Sequence, residues 1–404
     1  MNRKKIASLI LATSIVTTQV ATPVFANTND NNVTEVTSTQ DNKEGEVNKN
    51  TRSGVIVNIP DPNLKAELNK RLGQSPTSNI TKGQLRGLKG ELNLYKKGIS
   101  NLEGLQYCTG ISDLNLEGNN MNNISPLKDL VNLGILYIGG NDNISDFTPL
   151  RNLKNLWGLS VAGMGLDSNG LSKVLSNLTN PTNFTYFHIG WNEISDISPL
   201  KKLVNLTRLH MEYNKISDIT PVSNLKKLGW ISMYNNNISD ISPISSLSKT
   251  LYRLSANNNK ISDISPLANL NKLSALWLEN QRITGPKVTA IDSNATVNNI
   301  VKNINGSLIA PTSSNSYSYN SNTGQITFNN INSTGDKAYN FSTNVTIGKA
   351  KADFSGSVTQ KVIYNIDKSG LQQLVNTAKD KVANGNLIPN SIKALNAAIS
   401  KAEG

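Results

Sequence analysis

Two histidines, one cysteine and four tryptophans are the scarcest reactive or strongly interacting side chains in this sequence. His188 and His210 share one place in a repeat of about 22 residues, and Glu212 follows the second. In such a chain the two rings would lie about 5 Å apart in one column, a set that could hold a divalent cation or respond to pH. No third strong ligand is fixed by the spacing, so no metal is assigned. Ser160 and Ser232 are the hydroxyls to weigh as nucleophiles. Both are read as separated from the histidines by column and repeat, and glycine motifs that cradle phosphate are absent. A lone Cys108 excludes a disulfide scaffold and a Cys-ligated zinc site, and it falls in the column of Leu130 and Leu153, the place of a buried apolar filler. No catalytic residue, metal or cofactor is expected, and the chemistry left is recognition by Trp, Tyr and His.

The elements that position these residues repeat. Equivalent apolar positions fall at Leu92, Leu114, Leu136, Leu159, Phe187, Leu209, Ile231, Leu254 and Leu276, evenly spaced apart from one longer interval between Leu159 and Phe187. A period near 22 with an L-x-L core predicts a leucine-rich-repeat solenoid of class α/β, whose short strands form a curved parallel sheet. Each coil would turn at an asparagine (Asn119, Asn141, Asn192, Asn214, Asn236, Asn259) that satisfies backbone groups of its neighbours. Lys97, Met164 and Gln281 break that column. The long repeat carries Leu171, Val174, Leu175 and Leu178 at helical spacing, which predicts a helix on its outer side.

Side-chain alternation places the apolar pair of each strand inward and the flanking residues on the concave face or its rim. Those positions hold Tyr95, Tyr137, Trp157, Tyr186, His188, Trp191, Arg208, His210, Glu212, Tyr213, Trp230, Tyr234, Tyr252 and Trp277, including all four tryptophans and both histidines. Exposed aromatics beside arginine are what interface hot spots use, so Tyr137 to Trp277 are expected to form a partner-binding face centred on residues 186–234. The competing reading is a cross-strand aromatic ladder that only stiffens the sheet.

The remaining segments frame this sheet. Arg3, Lys4 and Lys5 precede an apolar run and a small-residue site ending at Ala26, which predicts a signal peptide over 1–26 and export. Residues 27–54, Asn, Thr, Glu and Gln with almost no apolar content, read as a disordered spacer. Asp61-Pro62 and the Thr81 to Gln84 capping box predict a helical cap over 55–90, ahead of repeats over 91–286. Alternating runs over 287–366 suggest a small antiparallel β-sandwich. Leu371, Leu374, Ala378 and Val382, then Ile392, Leu395 and Ile399, predict a short helical pair over 367–404. No later stretch approaches the roughly 18 apolar residues of a spanning helix.

The charge balance supports the same reading. The chain carries a formal +12, which removal of the leader's Arg3, Lys4 and Lys5 would reduce to +9. Residues 91–286 hold 17 basic and 15 acidic side chains. A nearly neutral repeat region does not fit nucleic acid, and Lys201-Lys202 and Lys226-Lys227 on the convex return read as solvated charge.

The repeats with Ile-Ser-Asp-Ile-Ser-Pro-Leu at 194–200 and 261–267, the entry Ile59-Pro60-Asp61-Pro62-Asn63-Leu64 with Gly98 to Leu105, and the segments Asn305 to Pro311 and Phe354 to Gln360 resemble the internalin family of Gram-positive surface proteins. The final segment, 367–404, is similar to part of a FIVAR-type surface module. The resemblance implies an Ig-like β-module after the repeats and a secreted or surface-exposed monomeric adhesin, not an enzyme, whose concave sheet binds a protein such as a host surface protein. A glycan or cell-wall polysaccharide is the alternative partner, since Trp and Tyr also stack on sugars. No LPxTG motif is present to support covalent wall attachment.

Overall fold

The computed structural model describes residues 54–291, 293–364, 369–385 and 389–403. The expected signal peptide, and the spacer up to residue 53, lie outside the described residues.

Two helices lead the chain in. Helix α1 (Pro62–Arg71) starts at Asp61, whose carboxylate accepts the Asn63 and Leu64 N–H groups. The same carboxylate accepts from the Ser100 and Asn101 N–H groups at 2.8 and 3.1 Å, tying the helix start to the first coil. Helix α2 (Lys82–Gly87) carries the Thr81–Gln84 capping box. Nine strands then form one parallel sheet in sequence order: β1 (Gly90–Asn93), β2 (Ile111–Asn115), β3 (Ile135–Tyr137), β4 (Gly158–Ser160), β5 (Tyr186–His188), β6 (Arg208–His210), β7 (Trp230–Ser232), β8 (Arg253–Ser255) and β9 (Ala275–Trp277). Leu92, Leu114, Leu136, Leu159, Phe187, Leu209, Ile231, Leu254 and Leu276 pair in register from one end to the other, which is the repeat column read from the sequence. The long repeat carries helix α3 (Ser168–Ser176), with Leu171, Val174 and Leu175 buried.

The Asp-Ile-Ser-Pro motif has a local cause. Asp196, Asp218, Asp240 and Asp263 each accept the N–H of the Ser or Thr two positions on, at 2.7 to 2.9 Å. Each thereby opens a short 3-10 turn (Ser198–Lys202, Thr220–Asn224, Ser242–Leu247, Ser265–Leu267) with proline near its start. Proline's fixed φ suits that position, where its missing N–H has no partner to lose.

The buried asparagines stitch coil to coil. Asn192 Oδ1 accepts the Met164 and Leu166 N–H groups, and its Nδ2 donates to the Val161, Ile189 and Gly190 carbonyls. Asn214, Asn236 and Asn259 repeat the pattern in the following coils. Gln281 does not break the column. Its side chain is fully buried, accepts the Ile261 N–H at 3.0 Å and donates to the Ala256 and Leu278 carbonyls. One further methylene lets the amide reach the same partners from a backbone that has already left the repeat.

That departure starts the β-module earlier than residue 287 and makes it mixed rather than antiparallel. Strands β10 (Gln281–Thr284) and β11 (Val288–Ala290) pair parallel with the long β16 (Ala350–Tyr364), while β15 (Gly335–Ile347) pairs antiparallel with it. The second sheet is antiparallel as expected, β12 (Ala295–Asn298) and β13 (Tyr317–Asn320) flanking β14 (Gln325–Phe328). Chain direction explains the difference: β10 and β11 continue the polypeptide out of the solenoid, and the return strand β16 runs alongside them. A single buried cluster extends from Val57 through the repeats to Val362, so the two parts share one core. Helices α4 (Ser369–Ala383) and α5 (Pro389–Glu403) close the chain. Among the described side chains of α4, Val375 is buried and Leu374 is 70% exposed, one position away from the face read from the sequence.

Candidate binding face on the parallel sheet

Register sorts the predicted residues into columns. Tyr186, Arg208, Trp230 and Arg253 are successive partners across β5 to β8. Tyr137, Ser160, His188, His210, Ser232, Ser255 and Trp277 form the next column. Ser160 and Ser232 therefore flank the histidines in one row rather than standing apart from them, because all four occupy the same place in their repeats. The Ser160 hydroxyl is committed elsewhere, donating to Glu117 Oε1 at 2.5 Å. Among the described residues no hydrogen bond joins either serine to a histidine, so the row is not a nucleophile and base pair.

The rings touch in sequence. Tyr137 meets Tyr186 at 6.2 Å between centroids, Tyr186 meets His210 at 5.7 Å, His210 meets His188 at 5.3 Å and Trp230 at 5.0 Å, and Trp191 stacks on Tyr213 at 5.3 Å and 19°. Tyr213 continues to Tyr234. Arg253 lies 4.3 Å over Trp230 and 4.9 Å over Trp277, with Arg208 5.7 Å from Trp230. Arg253 was missed from sequence, although it stands in register with Trp230 at the same repeat position as Arg208. These contacts half-bury most of the face. Only Trp157 and Tyr252, with the Arg208 side chain, are open to solvent, and Glu212 is buried at 3% exposure. The expectation of exposed tryptophans is thus corrected for Trp191, Trp230 and Trp277, whose neighbours in adjacent coils cover their faces.

Backbone geometry marks two of these residues. The turn after each strand of this sheet is at positive φ at one aligned position: Lys96, Gly118, Gly140, Gly163, Trp191, Tyr213, Asn235, Asn258 and Asn280. Glycine and asparagine suit that left-handed conformation, whereas a bulky side chain there costs about 1–2 kcal/mol. Trp191 and Tyr213 occupy it side by side and stack. Strain of this kind persists where surrounding structure enforces it and gathers at functional sites.

Electrostatics knit the centre. Glu212 Oε1 lies 3.1 Å from His188 Nε2, and its Oε2 lies 4.0 Å from His210 Nδ1. Burial opposes charge on His188, but the hydrogen bond and negative charge of Glu212 outweigh it and hold the imidazole above its usual pKa. Burial likewise opposes the Glu212 carboxylate, and the two histidines more than offset it, so Glu212 stays below the usual range. His210 is pushed down to about 4, by burial first and then by the charge of His188. Burial lifts Tyr137 to about 12 and raises Tyr186 and Tyr234 well above the ordinary phenol value. A Cβ at Gly190 would lie 2.9 Å from both Glu212 Oε1 and His188 Nε2, so a side chain there would push against this ion pair. Among the described residues no group of three or more potential ligands has the geometry to hold a metal ion. Three polar atoms of the face, Trp191 Nε1, Glu212 Oε2 and Arg253 Nε, are buried without a hydrogen bond. Each costs roughly 1–3 kcal/mol unless water or a partner supplies one. Cys108 is buried, its thiol lifted to about 12 by that burial.

Comparison with known proteins agrees with this architecture. A profile described as leucine-rich repeats, two copies, matches residues 185–227, and one described as LRR adjacent matches residues 306–362. Internalin C2 from Listeria monocytogenes is 32% identical over 54% of this chain and 92% of its own length, with a TM-score of 0.48. The chain belongs to the internalin-like leucine-rich-repeat proteins. A second Listeria internalin, InlF, is 26% identical over 56% of this chain and 84% of its own (TM-score 0.33). InlP, from the same organism, is 15% identical over 76% and 96% (TM-score 0.44). Neither profile is that of an enzyme family, and leucine-rich-repeat proteins bind protein partners. No helix among the described residues is long and apolar enough to cross a membrane.

Proposed function

We propose that this chain is an exported, internalin-like adhesin that captures a protein partner on the parallel sheet. The observation carrying the reading is the continuous line of rings and guanidiniums from Tyr137 to Trp277, in which Trp191 and Tyr213 accept backbone strain that glycine or asparagine would avoid. Stiffening the sheet explains ring contact but not strain. A partner that lies across β5 to β8 can pack on Trp191 and Tyr213 and complete the burial of Trp230, which is only half-buried by its neighbours. Tyr186, His188, Arg208, His210, Tyr213 and Tyr234 surround that point, with Tyr137, Trp157, Tyr252 and Trp277 at the periphery, while buried Glu212 acts by orienting the histidines. Export rests on the basic and apolar amino terminus ending at Ala26. The β-module is read as the Ig-like unit of the family and the closing helices as part of a FIVAR-like module.

A protein partner predicts saturable one-to-one binding of the described chain to its partner, retained after enzymatic deglycosylation of a host-surface extract. Competition by soluble sugar, with loss on deglycosylation, would instead establish the glycan reading and overturn this one.

A further inference from the structure

The repeat region is close to neutral in sum but not in space. In the last four coils the 3-10 turns and the segments after them (198–206, 220–228, 242–251 and 265–273) contain Lys201, Lys202, Lys226, Lys227, Lys249 and Lys272 and no Asp or Glu. The acidic residues of these coils that cap the turns, Asp196, Asp218, Asp240 and Asp263, precede them and are held there by hydrogen bonds to Ser or Thr N–H groups. The fold thus sorts the two signs onto different parts of each coil. All six lysines are exposed. Lys201 and Lys202 end their 3-10 turn, whereas Lys226, Lys227, Lys249 and Lys272 follow theirs on the way to the next strand; the coils that carry them stack at about 5 Å per step.

The β-module extends the line. Lys349 N donates to the Leu273 carbonyl at 2.8 Å, seating the β15–β16 turn on the last coil beside Lys272. Gly348 permits this approach, since a Cβ there would lie 2.7 Å from the Leu273 carbonyl oxygen and 2.8 Å from that of Asn271. Lys349 and Lys351 are exposed, and residues 348–352 also lack a carboxylate. Among the described residues none of the eight ammonium groups has a salt-bridge partner.

We propose that this lysine ridge is a second binding surface, separate from the aromatic sheet face, and that it takes a linear acidic polysaccharide. Charges spaced coil by coil along the solenoid match a chain with regularly spaced carboxylates or sulfates, bound with release of counterions. Its five acid-free segments contain no aromatic residue to stack on bases, and lysine lacks the planar fork that reads guanine. Val204, at 43% exposure, is the single large apolar side chain among them open enough to enter a bilayer. Such binding would hold the protein by its outer edge and leave the sheet free.

The test is titration calorimetry of the full chain with a heparin octasaccharide as probe, at two salt concentrations. Lys201→Glu, Lys202→Glu, Lys226→Glu and Lys227→Glu combined should weaken binding more than tenfold and flatten its salt dependence. An equal charge change at Lys70, Arg86, Lys89 and Lys287 should alter it less than threefold. The Trp230→Ala variant should bind the octasaccharide as wild type does, which separates this claim from that of the sheet face. Absence of octasaccharide binding, or equal loss in both charge variants, would overturn the proposal. So would tighter, ridge-dependent binding of a duplex DNA or of vesicles containing phosphatidylserine.

Discussion

Replacing Asn192 by alanine should destabilise the repeats about three times as much as replacing Asn214, although both residues are buried in one column. The difference lies in what each leaves behind. Asn214 Oδ1 serves one donor, the Ile194 N–H. Its three carbonyl partners keep other bonds: Ile189 to Asn192, Met211 to Asn236 and Glu212 to the Trp191 N–H. Asn214→Ala therefore orphans a single buried N–H. Asn192 Oδ1 serves two donors, Met164 and Leu166, and its Nδ2 supplies the Val161 carbonyl. Each newly orphaned buried group costs roughly 1–3 kcal/mol. The expected losses are about 2 kcal/mol for Asn214→Ala and about 6 kcal/mol for Asn192→Ala, read from urea unfolding with the slope held common. Amide exchange should accelerate at Ile194 in the first variant and at Met164 and Leu166 in the second. Equal losses, or a larger loss at Asn214, would refute the hydrogen-bond account of the column.

Three further outcomes follow from the same geometry. Asp61→Ala removes the helix cap and the bonds to Ser100 and Asn101 together, and should cost about 2 kcal/mol in urea unfolding. His210, held near 4 in the folded chain, stays neutral while the unfolded chain takes up a proton below about 6.5; its contribution is therefore complete above 6.5 and lost as pH falls toward 4. The His188 contribution has the opposite sign, complete below 6.5 and lost as pH rises through its raised folded value, so His210→Gln should flatten only the acid limb of a stability profile. Gly190→Ala should separate Glu212 from His188, lowering the His188 titration midpoint measured by NMR.

Much of the fold was legible in the sequence because a leucine returning at one fixed interval admits few arrangements, and the register of all nine strands follows it. What was not legible involved contacts between repeats. The role of Gln281 depends on where the backbone turns away, which its residue type does not encode. The parallel pairing of β10 and β11 depends on a return strand, β16, that the chain reaches only after β12 to β15. At the candidate site the membership of the columns was readable, but the degree of exposure was not, since burial of Trp191 and Trp230 comes from rings in neighbouring coils. The strain at Trp191 and Tyr213 was visible in principle: their aligned neighbours are glycine or asparagine, apart from Lys96. Lys201, Lys202, Lys226 and Lys227 were legible on the convex return but were read as solvated charge; the near-neutral sum of the repeats concealed that acids and bases occupy different parts of each coil.

The most direct test of the binding face is partner affinity for the Trp191→Ala, Tyr213→Ala and Trp230→Ala triple variant, measured beside its thermal unfolding. Hot-spot aromatics lose roughly 2 kcal/mol or more each on truncation, so affinity should fall more than a thousandfold while the repeats still unfold cooperatively. An unchanged affinity in a folded variant would contradict the assignment of this face.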